Sequence, residues 1–249
     1  MIILKTKEEI ASMRRAGRLV AEAHKRLAEA VRPGIRTIEL DALVEELFKA
    51  NGAVSSFKGY QGYPANICVS VNEQVVHGIP GETVLKEGDI VSIDVGAIVD
   101  GFHGDAAWTY PVGEVDDEAK RLLKVGEGSL YAALEKAKVG NRLSDISHAV
   151  QSYVEARGCS VVRDFVGHGI GRSMHEAPQV PNFGPPGRGP RLKAGMTLAI
   201  EPMVNAGRPE VKILPDQWTA VTADGTLSVH FEHTVAITED GPVILTSFP

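Results

Sequence analysis

The chain has 249 residues, 43% hydrophobic and 23% charged, with a net charge of -6. That length holds one large domain or two small ones, and the composition is that of an ordinary globular enzyme, which excludes a disordered chain. No apolar run approaches the roughly 20 residues that span a bilayer, Met1-Ile2-Ile3-Leu4-Lys5 has no secretory apolar core, and the negative balance leaves no basic footprint for nucleic acid.

Thr6-Lys7-Glu8-Glu9 has the form of a capping box, in which a hydroxyl and a glutamate satisfy free amides at a helix start. Ile10, Met13, Leu19, Val20, Ala23 and Leu27 then recur at helical spacing until Pro33-Gly34. A second helix is predicted from Thr37 to Asn51, closed by Gly52. The stretch Ile90 to Thr109 is rich in β-branched residues and interrupted by Asp100-Gly101, a two-residue hairpin signal. Asp116 is placed to cap a helix toward Val139, and Ser144 to cap another that closes at Gly158. Leu198-Ala199-Ile200, ended by Pro202, and Phe231 to Ile237 read as further strands. Phe183-Gly184-Pro185-Pro186-Gly187 reads as a surface loop.

The two helix pairs resemble each other. Gly34, Arg36, Val44, Ala50 and Gly52 match Gly140, Arg142, Val150, Ala156 and Gly158 at an offset of 106. Each half then carries the form L-K-x-G, an apolar run, and an isoleucine followed by an acid: Leu85 to Asp94 and Leu192 to Glu201, at an offset of 107. Two copies at so long a period make no solenoid. They fit one domain over 1–249, built as a pseudo-repeat of roughly 6–110 and 115–245 that shares a site between its halves.

The acids carry the chemistry. With Asp100-Gly101 as the turn, Gly96 faces Asp105 and Asp94 faces Ala107. Asp94 and Asp105 are then diagonal neighbours on one face, about 7–8 Å apart between α-carbons. Two carboxylates that close repel unless a cation lies between them; the plain alternative is that one faces solvent. Asp94 follows Ile90-Val91-Ser92-Ile93, where an unpaired acid would be costly, and Glu201 and Glu232 sit in comparable apolar surroundings. His168 lies among the glycines of Val166-Gly167-His168-Gly169-Ile170-Gly171, which lacks the spacing of a phosphate or dinucleotide loop. One imidazole with four carboxylates suits two divalent ions such as manganese, iron, cobalt or zinc, a centre fit for hydrolysis.

In that order Asp94, Asp105, His168, Glu201 and Glu232 resemble the five-ligand set of the type I methionine aminopeptidases. The likeness covers nearly the whole chain, through Gly59-Tyr60-Gln61-Gly62-Tyr63-Pro64, Val71-Asn72-Glu73, His77-Gly78-Ile79-Pro80 and Gly195-Met196-Thr197. The resemblance implies a pita-bread α/β (α+β) fold, two pseudo-symmetric halves around a central antiparallel sheet. It also implies a metal-activated removal of N-terminal methionine from nascent proteins when the second residue is small. His77 and His175 match that family's non-ligand histidines, expected to hydrogen-bond the scissile amide and the developing oxyanion. Glu201 would also take the proton of the attacking water, and Asp94 would help hold the free amino group. Phe57, Tyr60, Tyr63, Cys68, Met174 and Trp218 match positions lining the methionine pocket, Phe57 and Met174 departing from residues common there. Asn72, Gln74 and Ser228 match a monovalent-cation site of some relatives.

The implied setting is a cytoplasmic monomer that binds no nucleic acid and no membrane, with transient ribosome association. The two cysteines, Cys68 and Cys159, lie outside disulfide or zinc spacings and agree with a reducing home. The alternatives are another pita-bread peptidase, prolidase-like or proline-aminopeptidase-like, and a non-catalytic binding module of the same fold. Of the remaining histidines, His24 and His148 read as surface or packing residues, His103 as solvent-facing, His230 as sharing the strand parity of Glu232, and His233 as facing away.

Overall fold

The computed structural model describes residues 1–247. Helix α1 spans Lys7–Ala30 and opens with the expected capping box: Glu9 N donates to Thr6 Oγ1 (3.2 Å) and Thr6 N to Glu9 Oε2 (3.1 Å). Its buried stripe includes Met13, Val20, Ala23 and Leu27. Helices α2, α3 and α4 span Thr37–Ala50, Asp117–Leu134 and Leu143–Glu155. Two boundaries differ from the sequence reading. Helix α3 stops at Leu134, well short of Val139, where Lys136 N and Ala137 N turn back to the carbonyls of Ala133 and Leu134. This tightened last turn drops Ala137 into the core and ends the helix. At α4 the cap is Arg142, whose amide donates to Asp145 Oδ2 (2.7 Å), while Ser144 Oγ accepts from Arg188 N instead.

The long hairpin pairs strand Ile90–Val99 with Phe102–Pro111 around Asp100 (φ 52°) and Gly101 (φ 75°), both left-handed as such a turn requires. Its register sets Gly96 opposite Asp105 and Asp94 opposite Ala107, as the turn position demanded. Strands Val54–Ser55 and Cys68–Val71 also pair with Ile90–Val99. The second half forms an antiparallel sheet in the order Gly241–Ile244, His233–Thr238, Thr197–Ile200, Gly167–Gly169, Glu176–Val180.

The halves correspond in their main-chain detail. Gly34, Gly52 and Gly88 have φ of 91°, 64° and 90°, and Gly140, Gly158 and Gly195 have 93°, 71° and 91°. Gly34 N donates to Leu85 O and Leu85 N to Ile35 O; Gly140 N donates to Leu192 O and Leu192 N to Asn141 O. Isolated bridges join Arg36 to Val84 and Arg142 to Arg191. Each half has its own apolar core. One packs Val20, Leu27, Leu40 and Val44 against Val91, Ile93 and Val95; the other packs Leu122, Leu130, Ile146 and Val150 against Leu198, Ile200 and Val235.

At the centre the two sheets meet through a side chain. Asp105 N donates to Thr234 Oγ1 (3.0 Å), Thr234 Oγ1 donates to Asp105 O (2.8 Å), and Glu232 N donates to Ala107 O (2.8 Å). This seam sets Asp94 and Asp105 of the first half against Glu232 of the second.

Candidate metal centre and substrate pocket

One cavity of about 200 Å³ is lined by Asp94, Asp105, His168, Glu201 and Glu232, by His77 and His175, and by Phe57, Tyr60, Tyr63, Cys68, Met174 and Trp218. Every residue singled out as catalytic, pocket-lining or ligating therefore faces the same space. Asp105, His168 and Glu232 bring ligand atoms within 4.8 Å of one another, and so do Glu201, His230 and Glu232. His168 Nε2 and His230 Nε2 each lie 3.5 Å from an oxygen of Glu201. Asp94 belongs to neither close triad; it lines the same cavity beside them.

Two of the acids sit differently from the expectation. Glu201 lies just beyond strand Thr197–Ile200, and Glu232 lies in the gap between Ser228–His230 and His233–Thr238. Strand ends free a carboxylate from the strict in-out alternation and let it turn into the cleft. Asn182 Nδ2 holds the Glu201 carbonyl at 2.9 Å.

The acids are strongly perturbed. Burial holds Asp105, Glu201 and Glu232 well above the usual carboxylate range, with neighbouring acids adding to the effect at Asp105 and Glu232. Burial, with the Glu201 charge adding to it, lifts Asp94 to about 7, although His230 pulls the other way. Burial likewise lowers His168 to about 4, so its ring is neutral near pH 7. His168 Nδ1 lies 2.9 Å from Gly169 O, and a carbonyl only accepts, so Nδ1 carries the proton and Nε2 keeps its lone pair. Among the described residues, Asp94 Oδ1, Asp105 Oδ1, Glu232 Oε1 and His230 Nε2 are buried without a hydrogen-bond partner. Buried acceptors are ordinarily satisfied. A cluster of orphaned carboxylate oxygens around a lone-pair nitrogen is a donor set for divalent cations.

Beside this cluster is an apolar pocket. Phe57, Tyr63, Cys68 and Met174 are buried together, with Tyr60 and Trp218 packed against them. The Tyr63 hydroxyl lies within hydrogen-bonding distance of Gly78 O (2.9 Å) and Ile67 O (3.1 Å), and its ring meets Trp218 edge-on at 5.1 Å. Trp218 is placed by Asp216, whose carboxylate accepts from the amides of Trp218 and Thr219. Phe57 lies over Gly96, where an added Cβ would come within 2.7 Å of its ring.

The histidines flank the two regions. His77 has a left-handed φ of 61°, and its ring packs edge-on to Phe165 (5.3 Å) and Trp218 (6.5 Å). Burial, with His230 and His175 nearby, lowers it to about 4. His175 sits exposed at the mouth, its Nδ1 2.7 Å from the Tyr60 hydroxyl and its ring 4.3 Å from that of His168. The sequence reading left out Phe165, Val166, Val76 and Met203, which also line the cavity, and kept His230 out of the ligand set. The parity of His230 with Glu232 was its only available signal. His103, read as solvent-facing, is buried with Nδ1 2.9 Å from Ser56 Oγ. Its face of the hairpin is covered by a segment distant in sequence. His24 and His233 are buried packing residues, and His148 is exposed.

A family model for metallopeptidase family M24 matches residues 11–239. Methionine aminopeptidase 1 of Bacillus subtilis is 60% identical over 246 residues, covering 99% of both chains. The solved methionine aminopeptidase of Thermotoga maritima superposes with a TM-score of 0.98 at 51% identity, covering 99% of this chain and 100% of that one. The prolidase of Pyrococcus furiosus superposes at 0.80 with 26% identity, and the match spans 66% of its length. The chain belongs to metallopeptidase family M24 and has its pita-bread fold. Within that family it groups with the type I methionine aminopeptidases, not with the prolidases. Family and donor cluster together identify a divalent-metal hydrolase.

Proposed function

We propose that this enzyme removes the N-terminal methionine from nascent proteins and peptides whose second residue is small. The observation that carries this reading is the orphaned carboxylate cluster beside an apolar pocket lined by aromatic and sulfur-bearing side chains. Asp94, Asp105, His168, Glu201 and Glu232 would hold two divalent ions. When bound, such ions act as Lewis acids toward the scissile carbonyl and make the attacking water acidic.

The chain's own groups supply the rest. Phe57, Tyr63, Cys68 and Met174 enclose an unbranched thioether, which contacts aromatic rings favourably. Asp94 holds the free amino group, so that one residue fits before the cut. Glu201 as the carboxylate, made a stronger proton acceptor by its burial, takes the water proton and then hands it to the leaving amine. His77 and His175 donate to the scissile amide and the developing oxyanion. The Tyr60 hydroxyl on Nδ1 of His175 leaves Nε2 as that ring's free hydrogen-bonding atom.

Manganese, iron, cobalt and zinc all suit this donor set, so cellular supply selects the ion. A monovalent cation near Asn72, Gln74 and Ser228 would rest on main-chain oxygens. The side-chain oxygens of Asn72 and Gln74 already accept from Ile90 N and Val71 N, and the Ser228 hydroxyl lies 2.8 Å from Asn205 Oδ1. The reading extends to a cytoplasmic monomer that meets its substrates in passing contact with the ribosome. Cleavage of Met-Ala-Ser and Ala-Pro peptides, with and without chelator, tests it. Methionine release that chelator abolishes and divalent metal restores is expected. Cleavage of Ala-Pro alone would indicate a prolidase-type enzyme, and cleavage of neither by metal-loaded protein a binding module.

A further inference from the structure

Lys5 is buried, and its ammonium donates to Glu176 Oε2 at 2.5 Å, the two side chains retaining 3% and 8% of their exposure. So dry an ion pair is rarely a surface accident, since each charge must give up its water. The partners lie 171 residues apart, and each end is anchored. On one side, Lys5 N donates to Gly195 O (2.7 Å), at the turn that leads into strand Thr197–Ile200 and so to Glu201. On the other, Glu176 directly follows His175, faces Gly169 in the sheet, and accepts from Ser173 N through Oε1 at 3.3 Å. Gly171 makes room for the pair: a Cβ there would run into Lys5 Cε and Glu176 Oε1. The loop between His168 and Glu176 thus closes on a buried carboxylate whose cationic partner comes from outside the loop.

We propose that Lys5 is a positioning residue for His175, acting through Glu176 to hold the loop that presents the imidazole at the mouth of the cavity. The inference rests on the reading of His175 as a substrate-contacting group. Without the ammonium, Glu176 is a buried charge with no cation to pair with it, and the loop it anchors must shift to let water in. A displacement of about 1 Å in a group that touches the reacting atoms can slow turnover on the order of 10²-fold.

The test introduces Lys5→Met into the wild-type enzyme and into a His175→Ala background. In the wild-type background kcat for Met-Ala-Ser is expected to fall by roughly 10- to 10²-fold with KM little changed, and Lys5→Arg should recover most of it. In the His175→Ala background Lys5→Met should cause no further loss, because the group it positions is gone. Amides of residues 170–177 should also exchange faster with deuterium in the metal-free Lys5→Met protein. If Lys5→Met folds poorly, the double variant Lys5→Met with Glu176→Gln removes the unpaired charge and serves the same comparison. Equal losses in both backgrounds, or unchanged exchange in the loop, overturn the proposal. Full turnover by Lys5→Met while His175→Ala is slow overturns it alone. Full turnover by His175→Ala overturns the reading of His175 and this inference with it.

Discussion

Glu201 has an imidazole nitrogen 3.5 Å from each of its two oxygens, and Glu232 belongs to both close donor triads. Residues that hold a metal and residues that touch a substrate should separate by experiment. His175→Ala is expected to keep its metal content yet slow turnover by on the order of 10²–10³-fold, the usual loss when an oxyanion donor is removed. Glu232→Ala should instead fail to retain metal, as elemental analysis would show; the reverse pattern would mean that ligand and donor have been confused. The same site bears on the chain's own start. On the proposed reading, with the carbonyl held at the metal centre and the amine at Asp94, the residue after the cut would lie against the metal face, and the isoleucine of Met1-Ile2 is large and stiff. The enzyme should leave its own Met1 in place while cleaving Met-Ala, Met-Gly or Met-Ser. Intact mass lacking Met1, or equal turnover of Met-Ala and Met-Ile peptides, would contradict this geometry.

Helix α1 lies directly on the hairpin that carries Asp94 and Asp105. A Cβ on Gly104 would lie 2.7 Å from Gly17 N, so the two backbones meet where neither residue has a side chain. Gly104→Ala should cost about 1–3 kcal/mol, as overpacking of a close contact does, and chemical denaturation should show a lower midpoint with unchanged slope. Because Asp105 is the next residue, metal affinity should weaken in the same variant. The hairpin itself was legible from one dipeptide: Asp100-Gly101 fixes the turn, the turn fixes the register, and the register makes Asp94 and Asp105 neighbours. The end of α3 was not legible. Nothing in the Lys136 to Val139 sequence forbids helix; the chain leaves it because Ala137 is buried against the second core.

The molecule as a whole carries neutral imidazoles in its interior. Burial lowers His24 to about 4 and His233 to about 3, against 6.5 for a free imidazole. The unfolded chain therefore binds protons first. The stability is complete above about pH 6.5 and declines as pH falls toward the folded values, by on the order of 3 kcal/mol for His24. Unfolding free energies of wild type and His24→Gln should converge as pH drops from 7 to 4; a constant difference would show that burial does not lower the proton affinity of His24. Metal acts on the same balance. A ligand that binds only the folded state at 100 times its dissociation constant adds about 2.7 kcal/mol, so chelator should lower the melting temperature and excess manganese or cobalt restore it.

The aromatic pocket positions and the complete ligand set were read from a likeness to a known family; the sequence by itself determined the two matched halves, the hairpin register and the neighbouring Asp94 and Asp105. These rest on local rules of turn geometry, helix capping and side-chain alternation, which act within a few residues. Tertiary structure alone decided which faces are covered and which distant groups meet. His103 is buried because Ser56 packs onto it, and His230 reaches Glu201 because two short strands end at the same cleft. Lys5 finds Glu176 across 171 residues of chain. Alternation along a strand says which residues share a face but not what lies against it, because burial is a property of the partner surface as much as of the segment.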